Sequence, residues 1–243
     1  MELLKGEAQR LLGLDLSPAQ LAAFRRYRDE LLAWNERAGL TTIVDDEGVQ
    51  IQHFLDSLTC LLAWPGNLAN GQIGKFTVVD IGAGAGFPGL PLRLICPDLR
   101  LTLVESVRKK ADFLRHLVGV LGLSDVTVLA ARVEDIGRAP THRERYDVAL
   151  ARAVAELAVL VEYALPLLRV GGILIAQKTR ATAGKEVEAA ARALSVLGGQ
   201  VERVVEVALP GLREPRALVI VSKVAPTEGR YPRRVGVPTR RPL

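Results

Sequence analysis

The stretch Val79-Asp80-Ile81-Gly82-Ala83-Gly84-Ala85-Gly86-Phe87-Pro88-Gly89 decides how the chain is read. A short β-branched run, Phe76–Ile81, ends in closely spaced glycines, and a helical pattern follows over Pro91–Ile95. In a doubly wound sheet, ligands bind beyond the carboxyl ends of the strands, where this loop would lie. Small residues let a ligand approach the backbone closely, and exposed amides there can meet an anionic group. The dinucleotide fingerprint G-x-G-x-x-G needs glycine at position 87, which is phenylalanine here, so the spacing is G-x-G-x-G.

Outward from this loop the rhythm repeats. Leu101–Glu105, Val126–Ala131, Asp147–Leu150 and Ile173–Gln177 are four more strand-like runs. Helical patterns lie between and after them, over Val107–Leu121, Val154–Leu168 and Lys185–Leu197. Continuous apolar strands alternating with helices predict a parallel sheet covered on both faces. Val201–Leu209 and Ala217–Val221 are joined by Pro210-Gly211 and a short loop without a helix, which predicts an antiparallel hairpin at one edge. Upstream, Ser17-Pro18-Ala19-Gln20 has the form of a capping box with proline at the first helical position. A second helix is expected over Glu47–Ala63, with Ile51, Phe54, Leu55, Leu58, Leu61 and Leu62 inward. Pro65-Gly66 would end it, and Asn67–Lys75 reads as a linker. The predicted organisation is a helical cap over 1–70, a sheet domain over 71–225 and a tail over 226–243.

The chain has 243 residues, 49% of them apolar, with 32 Lys and Arg against 27 Asp and Glu. That composition excludes a wholly disordered chain, and the length suffices for a core without staples. Cys60 and Cys96 cannot make a disulfide framework, and with His53, His116 and His142 they offer no zinc spacing, so no metal is expected. There is no basic and apolar leader and no run of about 18 apolar residues, so no membrane span is expected and a cytoplasmic protein is the default. Of the net charge of +5, most lies in residues 226–243, which hold five arginines and one acid. This tail reads either as a solvated, poorly ordered terminus or as an electrostatic arm for phosphates.

Asp80 precedes the first glycine by two, a form that looks like the first motif of S-adenosylmethionine-dependent methyltransferases. An acid suits the ammonium of the cofactor's methionine end. The second strand ends in Glu105, whose carboxylate can accept from both ribose hydroxyls, and Ser106 and Val107 would flank the adenine. That acid is shared with dinucleotide-binding folds and does not separate the two classes. Glu134 and Asp135 follow the third strand, as adenine partners or as ordinary acids at a helix start. Arg152, inside an apolar run after the fourth strand, is costly to bury unpaired and is expected at the cleft, the alternative being a plain surface salt bridge. His53, Asp56 and Ser57 form either a polar cluster facing the cleft or a bonded group holding helix to sheet.

The chain carries neither the Asn/Asp-Pro-Pro-aromatic motif of base amino methyltransferases nor the Pro-Cys of cytosine enzymes. Guanine N7 fits instead: it has a free lone pair and no proton, so alignment suffices. Several segments together resemble the bacterial small-subunit rRNA guanine-N7 methyltransferase family, RsmG or GidB, over nearly the whole chain. They are Trp34-Asn35, Leu40-Thr41, His53-Phe54-Leu55-Asp56-Ser57, the loop Asp80–Leu92 with its Pro-Gly-x-Pro continuation, Glu105-Ser106-Val107-Arg108-Lys109-Lys110 with Phe113-Leu114, Arg132 with Glu134, and Arg152-Ala153. Gly39 and Thr179 stand where the family usually has asparagine and glycine. The resemblance implies an α/β class I methyltransferase: a Rossmann-like, seven-stranded, mostly parallel sheet with an antiparallel edge hairpin and a small N-terminal helical cap. It implies methyl transfer from S-adenosylmethionine to N7 of a guanine in the 530 loop of 16S rRNA (guanine 527 in standard rRNA numbering), without a covalent enzyme intermediate. Asp80, Gly82, Gly84, Gly86, Phe87, Glu105, Ser106, Val107, Val133, Glu134 and Arg152 would hold the cofactor, with Arg152 and Lys178 catalytic. Apart from the resemblance, Arg25, Arg26, Arg28, Lys109, Lys110 and the tail arginines are candidate phosphate contacts or, taken singly, solvated surface charges. The partner would be 16S rRNA or the 30S subunit, with no obligate protein partner and a monomeric chain. A small-molecule methyltransferase and a cofactor-binding ribosome-assembly factor are the alternatives.

Overall fold

A computed structural model describes residues 1–65 and 74–243. The linker expected over Asn67–Lys75 and the boundary near residue 70 lie largely outside the described residues. Seven strands form a single sheet in the order β3-β2-β1-β4-β5-β7-β6. They are β1 (Thr77–Ile81), β2 (Arg100–Val104), β3 (Val126–Leu129), β4 (Tyr146–Arg152), β5 (Leu168–Thr179), β6 (Gly199–Val207) and β7 (Arg216–Lys223). The first five pair in parallel, and β7 runs antiparallel between β5 and β6, so the predicted hairpin forms the edge. Register brings the site together: Ile81 pairs with Val104 on one side and Ala151 on the other, and Arg152 pairs with Gln177. Gly82, Glu105 and Arg152 therefore share one rim of the sheet.

Alternate residues along each strand bury against different layers, as the period of two requires. Val78, Leu103, Leu150 and Ile175 pack with α1 (Glu2–Leu12), α2 (Pro18–Ala38) and the helical segment 46–63, along with α5 (Gly89–Ile95) and α6 (Arg108–Val120). Val79, Ile81, Ala149 and Leu174 pack with α7 (Val133–Arg138), α8 (Leu157–Ala164), α9 (Arg180–Ala189) and α10 (Ala191–Leu197). The N-terminal helices thus share one apolar cluster with the sheet. Ser17 and Gln20 close the expected capping box at the start of α2. Helix α1 was not anticipated, although Leu4 and Ala8 give it an inward stripe at i, i+4.

Three expectations need correction. The segment 46–63 is not one regular helix. It runs from α3 (Asp46–Gly48) through a π-helical stretch (Val49–Leu55) and α4 (Asp56–Leu58) into a tight 3₁₀ turn (Thr59–Ala63). The change of pitch rotates the apolar face, and Leu62, expected inward, is 39% exposed. Helix α8 is shorter than Val154–Leu168, because Ala153 turns the chain with a left-handed φ of 56° and Pro166 follows the helix. The tail is not a loose terminus: Thr227, Tyr231 and Pro238 are buried, and a short helix α11 (Val237–Arg240) lies within it. Among the described residues, no helix is long and apolar enough to cross a membrane.

Candidate active site

Three glycines carry β1 into α5 with left-handed φ angles: Gly82 at 67°, Gly84 at 59° and Gly86 at 98°. At Gly86 space adds to the backbone demand, since a Cβ would meet Leu90 Cδ1 and Tyr27 Oη at 2.5 Å. Helix α2 grips the loop from outside, with Tyr27 Oη donating to Ala85 O at 2.6 Å. Phe87 stacks on Tyr27 at 5.3 Å and on His53 at 4.6 Å, and the Arg152 guanidinium lies 4.8 Å from its ring centre. The π-helical stretch delivers His53 to this stack.

A cavity of about 770 Å³ opens along the rim, lined by Gly82, Gly84, Phe87, Glu105, Ser106, Val133, Glu134 and Arg152. All eight are residues that the sequence pointed to. Glu105 is buried and holds two amides, accepting from Gly84 N at 3.0 Å through Oε2 and from Val107 N at 2.7 Å through Oε1. A carboxylate has about four acceptor positions, so capacity remains for a hydroxyl donor. Glu134, 4% exposed, accepts from Gly236 N at 2.9 Å. Leu40, Lys110, Tyr163, Thr239 and Pro242 also line this cavity. Among the described residues, no group of three or more His, Cys, Asp or Glu side chains could hold a metal ion.

Asp80, Gly86 and Val107 do not line the cavity. Asp80 is wholly buried beneath the loop, where its Oδ2 accepts from Gly89 N at 2.8 Å and its Oδ1 has no partner. Its position before the glycines shapes the turn, and Gly89 must lack a side chain because a Cβ would sit 2.7 Å from that Oδ2. Burial pushes the Asp80 carboxyl up to about 7. The folded chain therefore keeps a proton that the unfolded chain releases near the ordinary carboxyl value of 3.8. Stability from this group is present at low pH and is lost as pH rises through about 7. His53 acts oppositely: burial and the Arg152 charge lower it from 6.5 to about 4, so its contribution is lost as pH falls through that window. The two offset each other in the parent protein, so the diagnostic is a difference. Asp80→Asn is expected to gain on the parent by roughly 2–4 kcal/mol between about pH 4 and pH 8 in denaturant unfolding. A pH-independent difference would refute the protonated Asp80.

A second cavity of about 410 Å³ adjoins the first, and His53, Arg152 and Ala153 line both. Asp56, 1% exposed, sits at its wall 3.3 Å from Arg152 Nη1 and 3.3 Å from Arg216 Nε. Burial raises the Asp56 carboxyl, with the charges of Arg152 and Arg216 opposing. Gln177 also lines this cavity, donating from Nε2 to Asp56 O at 2.7 Å, while its buried Oε1 has no partner. Lys178, a candidate for catalysis or for contact with RNA phosphate or the guanine, lines this cavity as well, where it pairs with Glu186 at 2.5 Å and donates to Ala155 O. Arg28 is likewise engaged, with Asp29 and Asp46. Gln177 and Arg216 escaped the sequence reading, because only the pairing of β4, β5 and β7 brings them beside Arg152.

The profile of one family, described as rRNA small subunit methyltransferase G (GidB), matches residues 20–214. The chain belongs to this family. Ribosomal RNA small subunit methyltransferase G of Roseiflexus sp. (strain RS-1) is 55% identical over 234 residues, covering 96% of each chain. The protein of that name from Chloroflexus aggregans (strain MD-66 / DSM 9485) is 51% identical over 245 residues, covering 98% of this chain and 99% of its own. Among solved structures, M. jannaschii TYW2 in complex with AdoMet is similar with a TM-score of 0.55 at 14% identity, covering 75% of this chain and 80% of that one. That likeness shows the class I methyltransferase fold. This chain is a methyltransferase whose methyl donor is S-adenosylmethionine, and the rim fits that donor. Glycines without side chains leave the backbone open, and the Glu105 carboxylate faces the same cavity as the small residues.

Proposed function

We propose that the protein transfers a methyl group from S-adenosylmethionine to N7 of a guanine in the 530 loop of 16S rRNA, acting in the cytoplasm as a monomer. The observation that carries this reading is the pair of adjoining cavities with Arg152 at their junction. The cofactor would occupy the larger one, with Glu105 at the ribose, Val133 and Glu134 at the adenine, and the glycine loop at the methionine end. When bound, it supplies an electrophilic methyl on a sulfonium, whose sulfur keeps the bonding electron pair as the methyl leaves.

The acceptor base would enter the second cavity. Gln177 Oε1 is a buried acceptor without a donor, and guanine carries N–H donors on its Watson–Crick edge. Asp56 offsets part of the Arg152 and Arg216 charge at this wall, which limits their repulsion of a purine that becomes positive on methylation. Because N7 brings a lone pair and no proton, His53 is not needed as a base, and its low pKa of about 4 keeps it a neutral stacking partner. Neither Cys60 nor Cys96 lines either of these two cavities, and burial pushes the Cys96 thiol up to about 12, so neither is placed for covalent attack there.

The test is incubation with radiolabelled S-adenosylmethionine and unmethylated 16S rRNA, free or within 30S subunits, followed by mapping of the modified base. The expected result is label at N7 of one guanine in the 530 loop. Label on neither substrate, with cofactor binding intact, would refute the rRNA assignment and favour a small-molecule acceptor or an assembly role.

A further inference from the structure

The C-terminal residues are fastened to the body by contacts that serve no evident purpose in a free arm. Arg143 donates to the carbonyls of Thr227, Glu228 and Tyr231. Arg233 grips the fully buried Glu162 carboxylate, with Nη2 to Oε2 at 2.6 Å. Removal of a buried charge from water is costly unless it is paired, so this clip fixes the chain at residue 233. Beyond it, the segment turns over the large cavity. Gly236 N donates to Glu134 Oε1, Thr239 Oγ1 meets Tyr163 Oη at 2.9 Å, and Thr239 and Pro242 stand in the cavity wall beside Val133 and Glu134.

We infer that residues 235–243 are a wall of the cofactor site, so that cofactor binding and docking of this segment stabilise one another. The inference rests on the reading of the large cavity as the cofactor's seat. Glu134 links the two, since it lines the cavity and its carboxylate receives the Gly236 amide. The tail charge is accordingly divided: Arg233 is used inside the fold, while Arg234, Arg240 and Arg241 stay exposed. A ligand bound only by the docked form shifts the docking equilibrium by its own binding energy, and the coupling is reciprocal.

The experiment is calorimetric titration of S-adenosylhomocysteine into the full chain and into a chain ending at Arg234, which keeps the Arg233 clip. The truncation is expected to raise Kd by about tenfold or more, with little change in the thermal transition measured without ligand. In the full chain, S-adenosylhomocysteine is expected to slow tryptic cleavage after Arg240 several-fold, while cleavage after Arg213, in the loop between β6 and β7, is unchanged. If the truncated chain does not fold, Thr239→Ala in the full chain is expected to raise Kd a few-fold, with Thr239→Ser restoring it. Unchanged cofactor affinity in these variants would overturn the inference, and a loss confined to RNA affinity would make the segment a phosphate-binding arm instead. Glu105→Ala separates the two readings: if it also leaves binding unchanged, the cavity assignment itself has failed.

Discussion

Glu105→Ala is expected to weaken S-adenosylhomocysteine binding by about 100-fold, equivalent to roughly 2.7 kcal/mol, in calorimetric titration. Two losses add. The side chain is the buried acid at the end of β2, so its removal takes away the acceptor proposed for the ribose. It also strands two amides, Gly84 N and Val107 N, which it holds at 3.0 and 2.7 Å. Hydrogen bonds to charged groups contribute about 1.5–3 kcal/mol each, and part of that stabilises the glycine loop in the shape that receives ligand. Glu105→Gln should fall between parent and alanine variant. Its amide keeps one acceptor oxygen, but its NH₂ must face one of the two backbone donors. An affinity within twofold of the parent for the alanine variant would remove Glu105 from the site.

The parts of this site that local pattern dictates were legible in the sequence. A glycine loop after a β-branched strand, and an acid at the end of the next strand, are local features, and register alone then places Gly82, Glu105 and Arg152 on one rim. Asp80 shows where that logic stops. Its spacing from the glycines is the same whether it faces a ligand or is buried under the loop; only the close packing of Gly89 against it decides. The tail was illegible for a related reason. Its prolines and arginines have the composition of a solvated terminus, and its partners Arg143 and Glu162 lie far away in sequence. Long-range ion pairs leave no periodicity to read. Gln177 looked like an ordinary strand residue until pairing with Arg152 set it against Asp56. The π-helical pitch of 49–55 likewise has no signature in the apolar spacing, yet it carries His53 to the face of Phe87.

Arg152→Ala is expected to reduce kcat/KM for methyl transfer to RNA about 1,000-fold, while S-adenosylhomocysteine affinity changes by less than about tenfold. Arg152 makes four contacts at the junction of the cavities: Gln52 O at 2.9 Å, Asp56 Oδ2 and His53 Nδ1 at 3.3 Å, and the Phe87 ring. Alanine leaves the buried Asp56 carboxylate with Arg216 alone, and breaking a buried pair on one side costs about 3–5 kcal/mol. That cost falls on the wall of the proposed base pocket more than on Glu105 and the glycines, hence the uneven effect on turnover and cofactor binding. Arg152→Lys should recover little, because a lysine cannot reach Gln52 O and Asp56 while stacking on Phe87. Two titrations separate this role from a merely structural one. Loss of the Arg152 charge removes the largest influence opposing burial at Asp56, so its carboxyl rises further and the variant loses stability as pH rises. The same loss removes the lesser of the two influences that lower His53, so the ring rises part of the way from about 4 while burial still opposes it, a shift that NMR of the imidazole can follow. A variant with full RNA turnover would show that Arg152 does not organise the junction.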